Sequence, residues 1–297
     1  TDIATGEKFK TFWPECQHCR QLKENYEAVD KYTFRCKLHG TEAKLWSGSY
    51  AMDACIARAY RNDGIPMLSA EFYRGNEWSR ELAQFVFRGT PPLDVIPMLR
   101  ERYDFLTKSA LRLEDYGDSW MNLFRIASYR AFNDLRFPGV VEMLAEKFES
   151  FADRHYHREG ETLFELPFHK RAHLFVQMYE GRARVSSKLS RIKDVGLLML
   201  PADYELPKAL RAVGALEYSP ELADKILNSV EIEENSREEM EIRLSVVEAG
   251  EILQQEVNRL RKIMGLPRYS KVEIDYFLWT KGRAWKEPHH LTRTTRY

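Results

Sequence analysis

Apolar residues in this chain recur mostly at intervals of three and four, the period of a helix that buries one face. Met52, Cys55, Ile56 and Ala59 make the first such stripe, so Cys55 reads as core. Val95, Leu99, Tyr103, Leu106 and Leu113 make a second behind the Pro91-Pro92 start signal, and Val141, Leu144, Phe148 and Phe151 a third after Pro138-Gly139. The longest stripe runs through Ile242, Val246, Ala249, Leu253, Val257, Leu260 and Met264 and stops at Gly265, with Pro267 beyond. Strand signals are few: Tyr32 to Arg35 and Thr162 to Leu166 are the best. The pattern therefore predicts a mainly α body.

Length adds one large domain with an appendage, because 297 residues exceed a single compact domain but leave little room for two. The expected division is a small segment over 1–45 and a helical domain over 46–297. A hydrophobic fraction of 44%, with 12% aromatic residues, excludes a disordered chain. No stretch reaches the roughly 18 uninterrupted apolar residues of a membrane span, and Thr1 to Lys10 lacks the apolar core of a signal peptide. The expectation is a cytoplasmic protein with no membrane partner.

Lys+Arg and Asp+Glu are both 45, so no global field draws the chain onto nucleic acid. Two local stretches are basic: Arg182, Arg184, Lys188, Arg191 and Lys193, then Lys281, Arg283, Lys286, Arg293 and Arg296. Either could meet phosphate, and either reads equally well as a solvated face.

Three of the four cysteines fall in Cys16-Gln17-His18-Cys19 and Cys36-Lys37-Leu38-His39. Two short knuckles of this spacing bring thiolate and imidazole ligands to a tetrahedral Zn²⁺, so Cys16, Cys19, Cys36 and His39 are expected to hold one structural zinc in a ribbon-like segment. A redox Cys-x-x-Cys and plain buried thiols are the alternatives, and His18 could replace His39 as ligand.

The other unusual run is Pro201-Ala202-Asp203-Tyr204-Glu205-Leu206-Pro207, which follows the apolar segment from Val195 to Leu200. A single carboxylate at the end of such a segment suits a catalytic acid or base. An Asp just ahead of a helix is also an ordinary N-cap. Further on, Leu210 to Leu216 and Ser219-Pro220-Glu221-Leu222 suggest helix, tight Gly turn, helix. Phe168-His169-Lys170-Arg171 opens another helix, where Lys170 could face a site or simply be exposed.

These segments together resemble the queuosine salvage protein family, queuosine 5'-phosphate N-glycosylases. The resemblance lies in Phe168-His169-Lys170-Arg171-Ala172, Ala202-Asp203-Tyr204-x-Leu206-Pro207, Leu210 through Ser219, Glu241-Ile242-Arg243, Ile274-Asp275-Tyr276-Phe277-Leu278-Trp279 and Pro288-His289-His290 with Arg293 and Tyr297. Upstream, Trp46-Ser47-Gly48 to Gly64-Ile65-Pro66 and Pro97-Met98-Leu99-x-Glu101-Arg102 look like its N-terminal half. The motifs keep their order from about Trp46 to the end.

The resemblance implies a mainly α, DNA-glycosylase-like fold, and cleavage of the N-glycosidic bond of a 7-deazaguanine nucleotide with Asp203 as catalytic carboxylate. A departing base leaves an oxocarbenium-like sugar, which a nearby carboxylate stabilises while it orients water. Asp275 is placed at the donor edge of the guanine-like base or as a structural residue. Lys170, His289, His290 and Arg293 are placed near phosphate, and Tyr204, Phe72, Tyr73 and Trp279 as aromatic partners of the base, with core packing as the alternative for each. Met178 and Thr280 stand where family members carry acids, and the knuckles have no counterpart in the family pattern. Two alternatives follow: a paralogue acting on DNA that hydrolyses the 7-cyano group of 7-cyano-7-deazaguanine, and a catalytically silent binder of modified nucleic acid.

Overall fold

The computed structural model describes residues 9–16, 18–19, 23–90 and 94–296. The Pro91-Pro92 signal, Gln17, the Tyr297 end, the Arg283 side chain and most of the Thr1 to Lys10 stretch lie outside the described residues. The chain forms two compact units, Thr1–Asp118 and Ser119–Tyr297.

In the first unit, β1 (Lys10–Pro14), β2 (Tyr26–Ala28), β3 (Thr33–Cys36) and β4 (Glu42–Ser47) form an antiparallel sheet of order β1-β4-β3-β2. Lys10 pairs with Ser47, Thr33 with Lys44 and Tyr26 with Cys36. Phe12 packs edge-on to Tyr26 and Phe34, at 5.2 and 5.5 Å between ring centroids. Four helices follow: α1 (Ser49–Arg61), α2 (Ala70–Arg74), α3 (Arg80–Val86) and α4 (Leu99–Leu113). Buried Arg58 on α1 joins them to the sheet, donating to Thr11 Oγ1 at 2.6 Å, Phe12 O at 3.1 Å and Val86 O at 3.0 Å.

The second unit begins with α5 (Trp120–Ile126) and α6 (Val140–Lys147). An antiparallel hairpin of β5 (Arg154–Glu159) and β6 (Thr162–Pro167) comes next, and then α7 (Lys170–Arg184). After a long connection the chain closes with α8 (Glu205–Ala212), α9 (Pro220–Leu227), α10 (Arg237–Ile263) and α11 (Lys271–Ala284). Phe168, Leu200, Ala202, Leu206, Leu210, Val246, Ile274 and Leu278 form one buried cluster that seats α8. Two glycines allow the close approach this requires. A Cβ on Gly282 would stand 3.0 Å from Glu205 O, and one on Gly250 would stand 2.3 Å from the Leu200 side chain.

The expectation of a mainly α, DNA-glycosylase-like class is corrected by these strands: about 49% of the chain is helical and 12% strand, a mixed α/β character. The strands were hard to read because they are short and polar. β5 is Arg-His-Tyr-His-Arg-Glu, and β2 to β4 draw part of their core from cysteines and a single Ala43. Ladder hydrogen bonds to β6 hold β5, and the thiol cluster adds to the ladders of β2 to β4, so neither set needs the full apolar alternation that marks a half-buried strand. The expected long stripe is α10, whose start is capped by Ser236 accepting from Glu239 N at 3.2 Å. No described helix is long and apolar enough to cross a membrane.

Candidate functional site

The two knuckles meet as predicted. Cys16 Sγ lies 3.3 Å from His39 Nδ1, Cys19 Sγ lies 3.2 Å from Cys36 Sγ and 3.3 Å from His39 Nδ1, and all four ligand atoms fall within 4.8 Å of one another. A tetrahedral zinc with bonds of about 2.3 Å to sulfur sets ligand atoms about 3.8 Å apart, so the group closes around one ion. Three sulfurs this close cannot all ionise alone: Cys19 is pushed up to about 12, first by its hydrogen bond with Cys36, while the Cys19 N–H holds the Cys16 thiol down to about 6. A divalent cation at the centre would remove that conflict. The His18 ring lies tilted beside His39, with centroids 5.5 Å apart, and stands outside the four-residue group. Cys55 is fully buried in the helical core, as its stripe implied.

The second site is in the other unit and is built from segments far apart in sequence. Asp203 uses one oxygen as a cap: Oδ1 accepts from the backbone N–H of Glu205 at 2.9 Å and of Leu206 at 3.0 Å. Its other oxygen, Oδ2, faces Lys170 Nζ at 3.5 Å, and both side chains are nearly buried. The helix cap thus occupies one oxygen of the carboxylate and the lysine ammonium faces the other. Lys170 opens α7 behind His169, which has a left-handed backbone at φ 41. Asp153 wraps this strained turn: its O accepts from His169 N, its N–H donates to His169 Nδ1, and its Oδ2 accepts from Lys170 N at 3.1 Å.

Asp275 on α11 completes the acidic group. Burial, together with the charge of Asp203 and opposed by Lys170, pushes its carboxyl up to about 7. Tyr204 lies beside His289, with ring centroids 4.5 Å apart. His289 Nδ1 donates to His290 O at 2.6 Å, which fixes the ring proton on Nδ1 and leaves buried Nε2 as an acceptor with no hydrogen-bond partner among the described residues. Burial pulls the pKa of both imidazoles down, His290 to about 3, so these rings are neutral. Arg293 is exposed, and Trp279 packs against the cluster around α8. Phe72 and Tyr73 belong to the first unit, where they pack with Trp78 at 5.7 and 5.0 Å.

The structure adds Asp153 and the buried pair Glu205–Lys208, at 2.7 Å, and gives a place to Arg243, which the sequence offered only as part of a motif. A signal existed for Arg243, a charge between Ile242 and Val246 on the apolar stripe of α10. For Asp153 there was none.

A buried lysine–carboxylate pair beside a carboxyl held near neutral pH is an arrangement for acid–base hydrolysis at a polar bond. The family described as queuosine salvage protein matches residues 10–297, and the chain belongs to it. A protein of Sphaerobacter thermophilus named queuosine 5'-phosphate N-glycosylase/hydrolase is 30% identical over 259 residues, 85% of this chain and 73% of its own length. Proteins of the same name from Mus musculus and Bos taurus are 28% and 27% identical, covering 85% and 89% of this chain and 72% and 75% of theirs.

Proposed function

We propose that this chain is a hydrolase that cleaves the N-glycosidic bond of a 7-deazaguanine nucleoside 5'-phosphate, the queuosine 5'-phosphate for which its relatives are named. The observation that carries the reading is the Lys170–Asp203 pair, with Asp203 Oδ2 left for chemistry once Oδ1 has capped α8. As the base departs, the sugar gains positive charge at C1' and O4'. The Asp203 carboxylate stabilises that charge and orients the water that attacks C1'. Lys170 holds Asp203 in place and offers N–H donors to an oxygen of the nucleotide.

The leaving base takes up negative charge, and a 7-deazapurine has carbon in place of N7, so no proton can be placed there. Asp275, protonated in part at neutral pH, supplies a proton or a hydrogen bond to another edge of the base. Neutral His289 accepts at Nε2 from a substrate hydroxyl or N–H, which suits a sugar or base edge better than a phosphate. Tyr204 and Trp279 offer aromatic faces to the base. In the first unit, Cys16, Cys19, Cys36 and His39 hold a zinc that is structural, because four protein ligands leave no open position for substrate.

Three of the ten basic residues in the two stretches are already engaged with acids of this chain. Arg191 pairs with buried Glu180 at 2.5 Å, Arg184 with Glu180 at 3.2 Å, and Arg296 with Glu234 at 3.3 Å. This favours a free nucleotide over DNA.

Mass spectrometry of products tests the reading. Queuosine 5'-phosphate should yield free queuine and ribose 5-phosphate, and DNA bearing 7-cyano-7-deazaguanine should be left unchanged. Conversion of the nitrile to an amide in DNA, with the nucleotide untouched, would replace this reading with the DNA-modifying one.

A further inference from the structure

Arg243 is the largest fully buried side chain among the described residues, at 1% exposure, and its guanidinium touches both segments that supply the Lys170–Asp203 pair. Nε donates to Ala202 O at 3.3 Å, next to Asp203. Nη1 and Nη2 fork onto the two oxygens of Asp153, Oδ1 at 2.9 Å, and Asp153 Oδ2 in turn accepts from Lys170 N. The guanidinium plane lies over the Phe168 ring, 4.1 Å from its centroid, two residues before Lys170. Nη1 also stands 3.5 Å from Glu239 Oε1, one turn earlier on α10 and outside both of these segments.

We propose that Arg243, acting through Asp153 and the Ala202 carbonyl, is a positioning residue that sets the separation and aim of Lys170 and Asp203. The proposal rests on the glycosidase reading for its kinetic consequences, while its geometric content stands apart from it.

The reasoning is one of supply and constraint. His169 holds a left-handed backbone that a histidine rarely adopts, so the turn that presents Lys170 needs an external clamp, and the Asp153 side chain is that clamp. An isolated carboxylate as deeply buried as Asp153 would be costly, and a bidentate guanidinium fixes its rotamer as well as its charge. The same cation reaches the Ala202 carbonyl. One rigid planar group with donors on several edges therefore indexes two chain segments against each other. A lysine cannot reproduce this, because an ammonium is a single point of charge without the fork.

The test uses the full chain and three variants, each checked for folding by thermal melting. Arg243→Lys should remain able to bind substrate but lose about tenfold to a hundredfold in kcat with KM changed less than about threefold, as expected when reactive groups are misplaced by an ångström or less. Glu239→Gln alters a partner of Arg243 that lies outside the two segments carrying Lys170 and Asp203. It should lower the melting temperature while kcat stays within about threefold of wild type. Should Arg243→Lys not fold, Asp153→Asn, which breaks the same link on its other side, is expected to show the same kcat-selective loss. A parallel loss of kcat in Glu239→Gln, tracking melting temperature, would reduce Arg243 to a stabilising residue and overturn the proposal.

If wild-type protein does not cleave queuosine 5'-phosphate, the functional reading fails but this one does not. A crystal structure of Arg243→Lys then decides: a Lys170–Asp203 pair pulled apart supports positioning, and a pair kept at 3.5 Å refutes it.

Discussion

The cysteine cluster of the first unit and the Lys170–Asp203 centre of the second gather polar groups by opposite means. The three cysteines and the histidine of the cluster lie within 24 residues of sequence, from Cys16 to His39, in two short knuckles that the small sheet brings together. Lys170 opens α7, Asp203 stands just ahead of α8 and Asp275 lies on α11, so this site is assembled by long-range folding and not by spacing along the chain. A local site of soft ligands is satisfied by one ion. A non-local site of hard charges is satisfied by buried counter-charges and backbone donors. Stability should therefore be most sensitive in the first unit and turnover in the second.

The largest effect is expected on the metal side. Purified protein should carry about one zinc per chain. Cys36→Ser or chelation should abolish cooperative melting of the first unit, because the ligands that close the sheet are then left as crowded thiols. Elemental analysis and calorimetry check this, and intact, reduced protein that is free of metal yet melts normally would break the comparison on that side.

Next comes Lys170→Met, which keeps the length of the stem but removes the cation facing Asp203. A fall in kcat/KM on the order of 10² is expected, with thermal melting little changed. An unaltered rate would mean that the pair is only structural.

Asp275 sharpens the picture through pH. A proton donor with its pKa near 7 is lost as pH rises, so activity should decline through about pH 7 and Asp275→Asn should flatten that limb. The stability sign is opposite to that of a salt-bridged acid. With the folded value raised above the ordinary carboxylate range of about 4, the native state loses stability as pH climbs from there to about 7. Asp275→Asn should accordingly gain melting temperature relative to wild type at pH 8 but not at pH 4. Rate profiles and melts at matched ionic strength read both.

The smallest effect concerns salt. Nucleotide binding through one or two charged contacts should weaken only slightly between 50 and 200 mM salt, whereas a polymer held by several cations would lose affinity steeply, by about a thousandfold or more. A steep dependence on DNA would restore the polymer reading.

How much of this was legible depended on range. The knuckles, the α10 stripe and the run around Asp203 are local patterns, and each appears where the sequence put it. Of the strands, β3 and β6 fall on the two signals at Tyr32 to Arg35 and Thr162 to Leu166, whereas strands as polar as β5 or as short as β2 depend on partners that periodicity cannot name. Asp203 illustrates both cases. Its capping role follows from its place ahead of α8, while its pairing with Lys170 requires knowing that α7 begins beside it. Asp153 and Arg243 form a bridge across 90 residues of sequence; Arg243 shows as a charge on the α10 stripe, but nothing local points to Asp153 as its partner.

The central claim is that Asp203 is a cap on one oxygen and a catalytic group on the other, and a single substitution separates the two. Asparagine keeps the cap, since its side-chain carbonyl can accept from Glu205 N and Leu206 N as Oδ1 does. It removes the charge that would meet the oxocarbenium-like sugar. Steady-state turnover of queuosine 5'-phosphate by Asp203→Asn, with melting temperature measured on the same sample, should show wild-type stability and a rate lower by about 10² or more. Near-normal turnover by a folded Asp203→Asn protein would contradict the account.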